Sequence, residues 1–219
     1  MERRSKQKDK LNKKVTGSVI IAFLFTLTLI GLLIPIYTPY VLLLFPFHLL
    51  LLLALLIWAH RDKNQDFKLF ILVAYLAGFL IDVIGVNTGY IFGSFQFGDT
   101  LGFKLADVPL AMGFYWVILI YSVGSSVAYF KIQNHAIRAL IGAFLLVFMN
   151  ILMEPVAIRF DFCNWENMSI QFQNYVAWFV FTFCMLLFFY ARKFRKQNVA
   201  APVLLISQLI FFITLNLFS

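Results

Sequence analysis

The sequence predicts an all-α, polytopic membrane bundle of seven transmembrane helices, and three observations predict it. Hydrophobic residues make up 62% of the 219 positions and charged residues only 13%, against about half and about a quarter in a soluble domain. Seven separate stretches reach the roughly 20 apolar residues needed to cross a bilayer. The Lys and Arg residues between those stretches fall almost entirely on alternate loops. A soluble globule this rich in apolar side chains, 27 of them Phe, would expose patches that aggregate.

The first span is read as Val15 to Ile34, closed by Pro35 and Pro39. It is longer than the apolar core of a secretory signal and no A-x-A-like site follows it, so it reads as a retained helix. The second runs from Tyr40 to Ala59, a Leu-rich stretch ending at His60 and Arg61. The third, fourth and fifth are Lys68 to Val86, Val108 to Phe130 and Ala136 to Ile158. The sixth and seventh are Gln171 to Ala191 and Val199 to Leu217. Residues 1–14 form a basic arm with seven Lys and Arg. Residues 15–219 form one transmembrane domain without internal repeat or low-complexity linker.

With a cytoplasmic amino terminus, 16 of the 18 Lys and Arg face the cytoplasm, and only Lys104 and Arg159 face the other side. That asymmetry satisfies the positive-inside rule for seven spans and puts the carboxyl terminus outside. A merged or missed helix would make the later clusters alternate wrongly. The formal charge of +8 therefore reads as a topology signal and a contact for anionic lipid. No groove-reading motif accompanies the arm, so nucleic acid is not an expected partner.

A charged group at mid-membrane costs about 2.5–3.5 kcal/mol, so acids inside spans point to function. Asp82 falls near the outer end of the third span, Glu154 near the outer end of the fifth, and Asp107 opens the fourth. The topology brings all three to one membrane face. Asn150 lies one turn below Glu154 on the same helical face. Asn87 follows Asp82, Asn174 opens the sixth span with Trp178 one turn deeper, and Tyr115 and Trp116 lie two turns below Asp107. Together they describe an outward-opening amphiphilic pocket walled by aromatics. The segment 88–105 between the third and fourth spans carries Gly89, Gly93, Gly98 and Gly102 among aromatics. It is less polar than a solvated connector, and is expected to fold back as a lid or re-entrant loop over the pocket.

Plainer roles compete for each residue. Asp107 suits a helix cap before a Pro-led first turn. Glu154 precedes Pro155 and could pair with Arg159. Asn150 and Asn174 could be interhelical hydrogen-bond glue. Trp58, Trp165 and Tyr190 suit interfacial belts, and Phe in the last two spans suits lipid contact. Cys163 in a loop and Cys184 inside a span give no expected disulfide. His48, His60 and His135 read toward the cytoplasmic half, away from the acids, and form no metal set with plausible spacing. No nucleotide-binding loop or serine nucleophile elbow occurs.

Three blocks give the chain a family resemblance. They are Asp82-Val83-Ile84-Gly85-Val86-Asn87-Thr88-Gly89 with Phe92-Gly93, then Leu101-Gly102 through Val108-Pro109-Leu110 to Trp116, and Met153-Glu154-Pro155-Val156-Ala157 with Trp165 and Gln173 to Phe179. Over roughly residues 75 to 180 the chain resembles membrane carotenoid-biosynthesis proteins that include the CruF-type carotenoid 1,2-hydratases and the bisanhydrobacterioruberin hydratases. The family pattern has Glu where Asp82 stands, Asp where Asn150 stands and an aromatic where Cys163 stands. The first change keeps the carboxyl; the second leaves no acid at 150.

The resemblance implies an enzyme of the bacterial cytoplasmic (inner) membrane that hydrates the terminal C1=C2 bond of an acyclic carotenoid to a tertiary 1-hydroxy group. Its partners would be the carotenoid, water, membrane lipid and other carotenoid enzymes. Protonation at C2 gives a tertiary cation at C1, which water captures, and no cofactor is demanded. A carboxyl in an apolar wall suits the acid. Asp82 is expected as that acid, with Glu154 orienting water or the roles exchanged. Trp116, Tyr115 and Trp178 could stabilise the cation by about 2 kcal/mol or more if desolvated, with Asn150 and Asn174 holding the water. Two other readings stand beside it. Protonation without water capture gives an end-group cyclase or isomerase. A non-enzymatic lipid-binding protein or transporter would use the acids as a proton relay.

Overall fold

The computed structural model describes residues 2–166 and 170–218, with the side chains of residues 2–14 left outside the description. Among the described residues, seven helices are long and apolar enough to span a membrane. They are α1 (Glu2–Leu33), α2 (Thr38–Ala59), α3 (Gln65–Thr88), α4 (Leu110–Val127), α5 (His135–Arg159), α6 (Phe172–Ala191) and α7 (Ala200–Phe218). The expected all-α bundle is therefore the observed architecture. Helix α1 runs through residues 2–14 without a break in its backbone.

Asparagine caps set the start of two helices that begin earlier than hydropathy suggests. The Asn64 side chain caps α3 by accepting from the Phe67 backbone N–H at 2.9 Å. Asn134 caps α5 by accepting from Ala136 and Ile137. Asn is a preferred cap because its short side chain reaches unpaired first-turn N–H groups. The fourth helix starts later than expected, at Leu110, since Ala106 and Asp107 both adopt left-handed backbone with φ of 51° and 64°. Two such residues make a tight hairpin turn. They join β2 (Lys104–Leu105) to β3 (Val108–Pro109), an antiparallel pair.

The connector between α3 and α4 holds more structure than hydropathy can read. Gly89 ends α3 in left-handed conformation, φ 68°, with its N–H on the Gly85 carbonyl, where a Cβ would be strained. The chain then forms β1 (Phe95–Phe97), which pairs antiparallel with β4 (Cys163–Trp165) from the α5–α6 connector. A 3₁₀ turn at Asp99–Leu101 follows. Side chains tie this segment down. The Asp99 N–H donates to Asp161, the Thr100 hydroxyl to the Phe160 carbonyl, and the Lys104 ammonium to the Phe97 carbonyl and Asp99. Phe92, Phe95, Phe97 and Leu101 point inward and are buried.

Helix α4 is the hub. It packs against α2, α3, α5, α6 and α7, and 83% of its span is buried, against about a third in every other helix. At the strand-free end a polar network fastens it to its neighbours. The Asn198 amide donates to the Tyr121 hydroxyl at 2.9 Å and to the Leu56 carbonyl, while His60 Nδ1 lies 2.6 Å from Tyr121. His60 and His135 sit at that end, as their sequence positions suggest. His48 does not: it stands near the middle of α2.

Candidate active site

Asp82 lies on α3, buried at 2% exposure, and its carboxylate accepts a hydrogen bond from the Trp116 indole N–H of α4 at 2.8 Å. A small residue one turn earlier permits that approach. Gly78 faces the Trp116 ring so closely that a Cβ there would overlap it. Trp116 lies against Trp178 of α6, with ring centroids 4.5 Å apart, and edge-on to Phe181 at 4.8 Å.

Asn174, one turn from Trp178 on α6, carries the contact on to the second acid. Its amide donates to Asn150 Oδ1 at 2.9 Å and to Glu154 Oε1 at 3.3 Å. Asn150 also donates to Glu154 Oε1, at 2.9 Å along α5. The other carboxylate oxygen accepts from the Trp165 indole N–H at 2.9 Å. Cys163 Sγ stands 4.0 Å from the same oxygen. Burial pushes the Cys163 thiol above its ordinary range, and the nearby Glu154 and Asp161 carboxylates add to this, so it stays a thiol.

The two acids are thus linked by the Trp116–Trp178 contact, one turn of α6 from Trp178 to Asn174, and the Asn174 and Asn150 hydrogen bonds. Each acid is gripped by an indole N–H. Asn150, Glu154 and Asn174 are each at most 3% exposed. Arg159 does not take up Glu154 in this arrangement; its guanidinium donates to the Leu215 carbonyl at 3.0 Å.

Tyr115 is buried beside this cluster and donates to Met153 Sδ at 3.1 Å. It lines an apolar cleft of about 70 Å³ together with Phe45, Phe97, Met112, Met153 and Cys163. On the far side of Phe97 lies a polar vestibule of about 550 Å³, walled in part by Asn87, Gln96, Lys104, Asp107 and Glu166. Phe97 borders both spaces.

Asp107 and Asn87 belong to this vestibule and not to the buried cluster. Asp107 is exposed at the hairpin turn. It caps no helix, since the residue before α4 is Pro109, which makes no side-chain cap. Asn87 is exposed too, and its amide donates to the Val83 and Ala106 carbonyls, which holds the hairpin against α3. Hydropathy placed both at the right end of the bundle but could not see the turn that lifts Asp107 out.

Trp165 was assigned by the sequence to an interfacial belt. In the structure it is 8% exposed and holds Glu154. Pairing of β4 with β1 brings it there, with the Phe95 ring packed against it at a tilt, centroids 5.1 Å apart. Cys163 and Gly78 were likewise unassigned. The one sequence signal for Trp165 is its place in the block that begins with Met153.

The family description "Carotenoid biosynthesis protein" matches residues 40–219. The chain belongs to the carotenoid biosynthesis protein family. All of the buried cluster falls inside the matched region. The chain is also similar to bisanhydrobacterioruberin hydratase from Haloarcula japonica, at 26% identity over 149 residues, 65% of this chain. It spans about half, 50%, of that relative's length. No solved structure matches the chain.

Proposed function

We propose that this carotenoid-biosynthesis protein hydrates the terminal C1=C2 bond of an acyclic carotenoid to a tertiary 1-hydroxy group. What supports the reading is the pair of buried carboxyls, each held by an indole N–H, with two packed tryptophans between them and an apolar cleft beside them, in a chain similar to a hydratase.

The surroundings divide the roles. Every nitrogen hydrogen-bonded to Glu154 is a donor, three in all. Hydrogen bonds to a charged group contribute about 1.5–3 kcal/mol each, which together outweigh the cost of about 2.5–3.5 kcal/mol for an intramembrane charge. Asp82 takes one such donor. Asp82 is therefore assigned as the acid that gives its proton to C2, and Glu154 as the carboxylate that orients water.

As the proton reaches C2, positive charge develops at C1, facing the Trp116 and Trp178 rings. Water bonds to C1 and releases a proton to Glu154. Loss of that proton from Glu154 and uptake of one by Asp82 close the cycle. Segment 88–105 acts as the lid between vestibule and cleft. It faces the non-cytoplasmic side, the orientation that the distribution of Lys and Arg favours.

The test is co-expression with an acyclic C40 carotenoid and mass analysis of the pigments. The wild-type chain adds one water per reacted end. Asp82→Asn and Glu154→Gln, at equal membrane level, lower hydration by about 10²–10⁴-fold, the usual weight of a proton-transfer group. Full hydration by both variants would defeat the assignment. A product of unchanged mass would point to cyclisation.

A further inference from the structure

A third cavity, of about 340 Å³, lies between α1 and α2 and opens to the lipid. Leu27, Leu44, Phe47 and Leu51 on its walls are each 45–67% exposed. At its base is a polar pair that the catalytic reading does not use. The Thr28 hydroxyl and His48 Nδ1 stand 3.2 Å apart. Nε2 of His48 has no hydrogen-bond partner among the described residues, and the ring lies at the groove surface.

His48 is the eleventh residue of α2, which puts it about 15 Å along the helix from either end. A phospholipid headgroup does not reach that depth, and an unpaired imidazole nitrogen among acyl chains is costly. An occupant that satisfies it must be apolar in body and carry one hydrogen-bonding group. If Thr28 donates to Nδ1, Nε2 carries the hydrogen and donates into the groove; in the other tautomer Nε2 accepts. A hydroxyl meets either case, because it both donates and accepts.

The groove and the apolar cleft flank the same turn of α2. Leu44 and His48 face the groove, while Phe45 and Leu49 line the apolar cleft. The Phe45 and His48 rings stack at 5.7 Å, and Phe45 packs on Phe162 at 4.6 Å. Pro46, in the same turn, supplies no backbone N–H to α2.

We infer that the α1–α2 groove is a binding site for a hydroxylated isoprenoid, with Thr28 and His48 holding its alcohol. The assignment of that alcohol as the departing reaction product rests on the hydratase reading; the site itself does not.

The test uses the full chain in phospholipid vesicles and two photoactivatable C20 isoprenoids that differ only in a tertiary hydroxyl. Crosslinks are mapped to peptides containing residues 24–28 and 41–51. The alcohol is expected to label the groove at least fivefold more than the hydrocarbon. His48→Leu and Thr28→Val each bring alcohol labelling down to the hydrocarbon level. His48→Gln, whose amide still offers a hydrogen bond at that depth, retains the preference. Equal labelling of the wild type by both probes, or a preference that survives both apolar substitutions, overturns the site. Pigment hydration is measured separately. Preferential labelling without hydration removes the hydratase reading and leaves the alcohol site standing; hydration with equal labelling does the reverse.

Discussion

At the scale of single residues, the site is defined by which donors each carboxyl meets. Trp165 gives the sharpest case, because one N–H can be removed while the ring stays. Trp165→Phe keeps the packing on Phe95 and leaves Glu154 Oε2 without its indole donor. A lost bond of about 1.5–3 kcal/mol to a charged group predicts carotenoid hydration lowered about tenfold to a hundredfold, read by pigment mass. Trp58→Phe, a partly exposed tryptophan on α2, serves as the control and leaves hydration unchanged. The sequence already carries Asp82, Glu154, Asn150, Asn174, Trp116 and Trp178, because polar groups at membrane depth stand out against an apolar background. Trp165 does not stand out. A tryptophan near a span end suits an interfacial belt equally well, and hydropathy holds no information on which way a short strand turns it. Gly78 is hidden for a similar reason: its role is to be absent from the space that the Trp116 ring fills.

At the scale of elements, the spans are legible and the connectors are not. A transmembrane helix satisfies its own backbone, so about 20 apolar residues suffice to announce it. The β1–β4 pair joins residues nearly 70 positions apart, and two three-residue strands leave no periodicity to detect. Yet this ladder fixes the segment that separates vestibule from cleft. Gln96 and Asn164 are exposed register partners across it. Antiparallel neighbours approach within disulfide range, so Gln96→Cys with Asn164→Cys should crosslink under oxidant. If the segment must shift to admit the polyene end, oxidation abolishes hydration and reduction restores it. Full activity of the oxidised protein, with the crosslink verified by mass, would rule that movement out.

At the scale of the whole molecule, the two ends of the bundle do different work. The strand-bearing end gathers the acids. The opposite end is fastened by His60, Tyr121 and Asn198. His60 Nε2 faces the Asp62 carbonyl at 2.8 Å and carries a hydrogen there, so Nδ1 accepts the Tyr121 hydroxyl. A second ring proton has no acceptor waiting. Burial holds His60 well below its usual 6.5, at about 4, with the Lys63 and Lys196 charges adding to the effect and Asp62 opposing it. Between those values the unfolded ring binds a proton that the folded one refuses. Its stabilisation is therefore complete above pH 6.5 and drains away as pH falls toward 4. The expected loss is about 2 kcal/mol, less than the full shift because water screens this loop. Thermal melts in detergent at pH 7 and 4.5 measure it. The wild type loses more stability on acidification than His60→Gln, and equal losses would count against the network. Hydropathy gives the order of the spans but does not announce the central one, since the buried hub α4 is the least apolar of the seven. That centrality has its own consequence. Bilayers differ in thickness from one membrane to another, and helices that touch lipid tilt or flex to match. The helix bearing Tyr115 and Trp116 touches almost none, so those rings are insulated from changes in the cell's fatty-acid composition, and the outer helices absorb them instead.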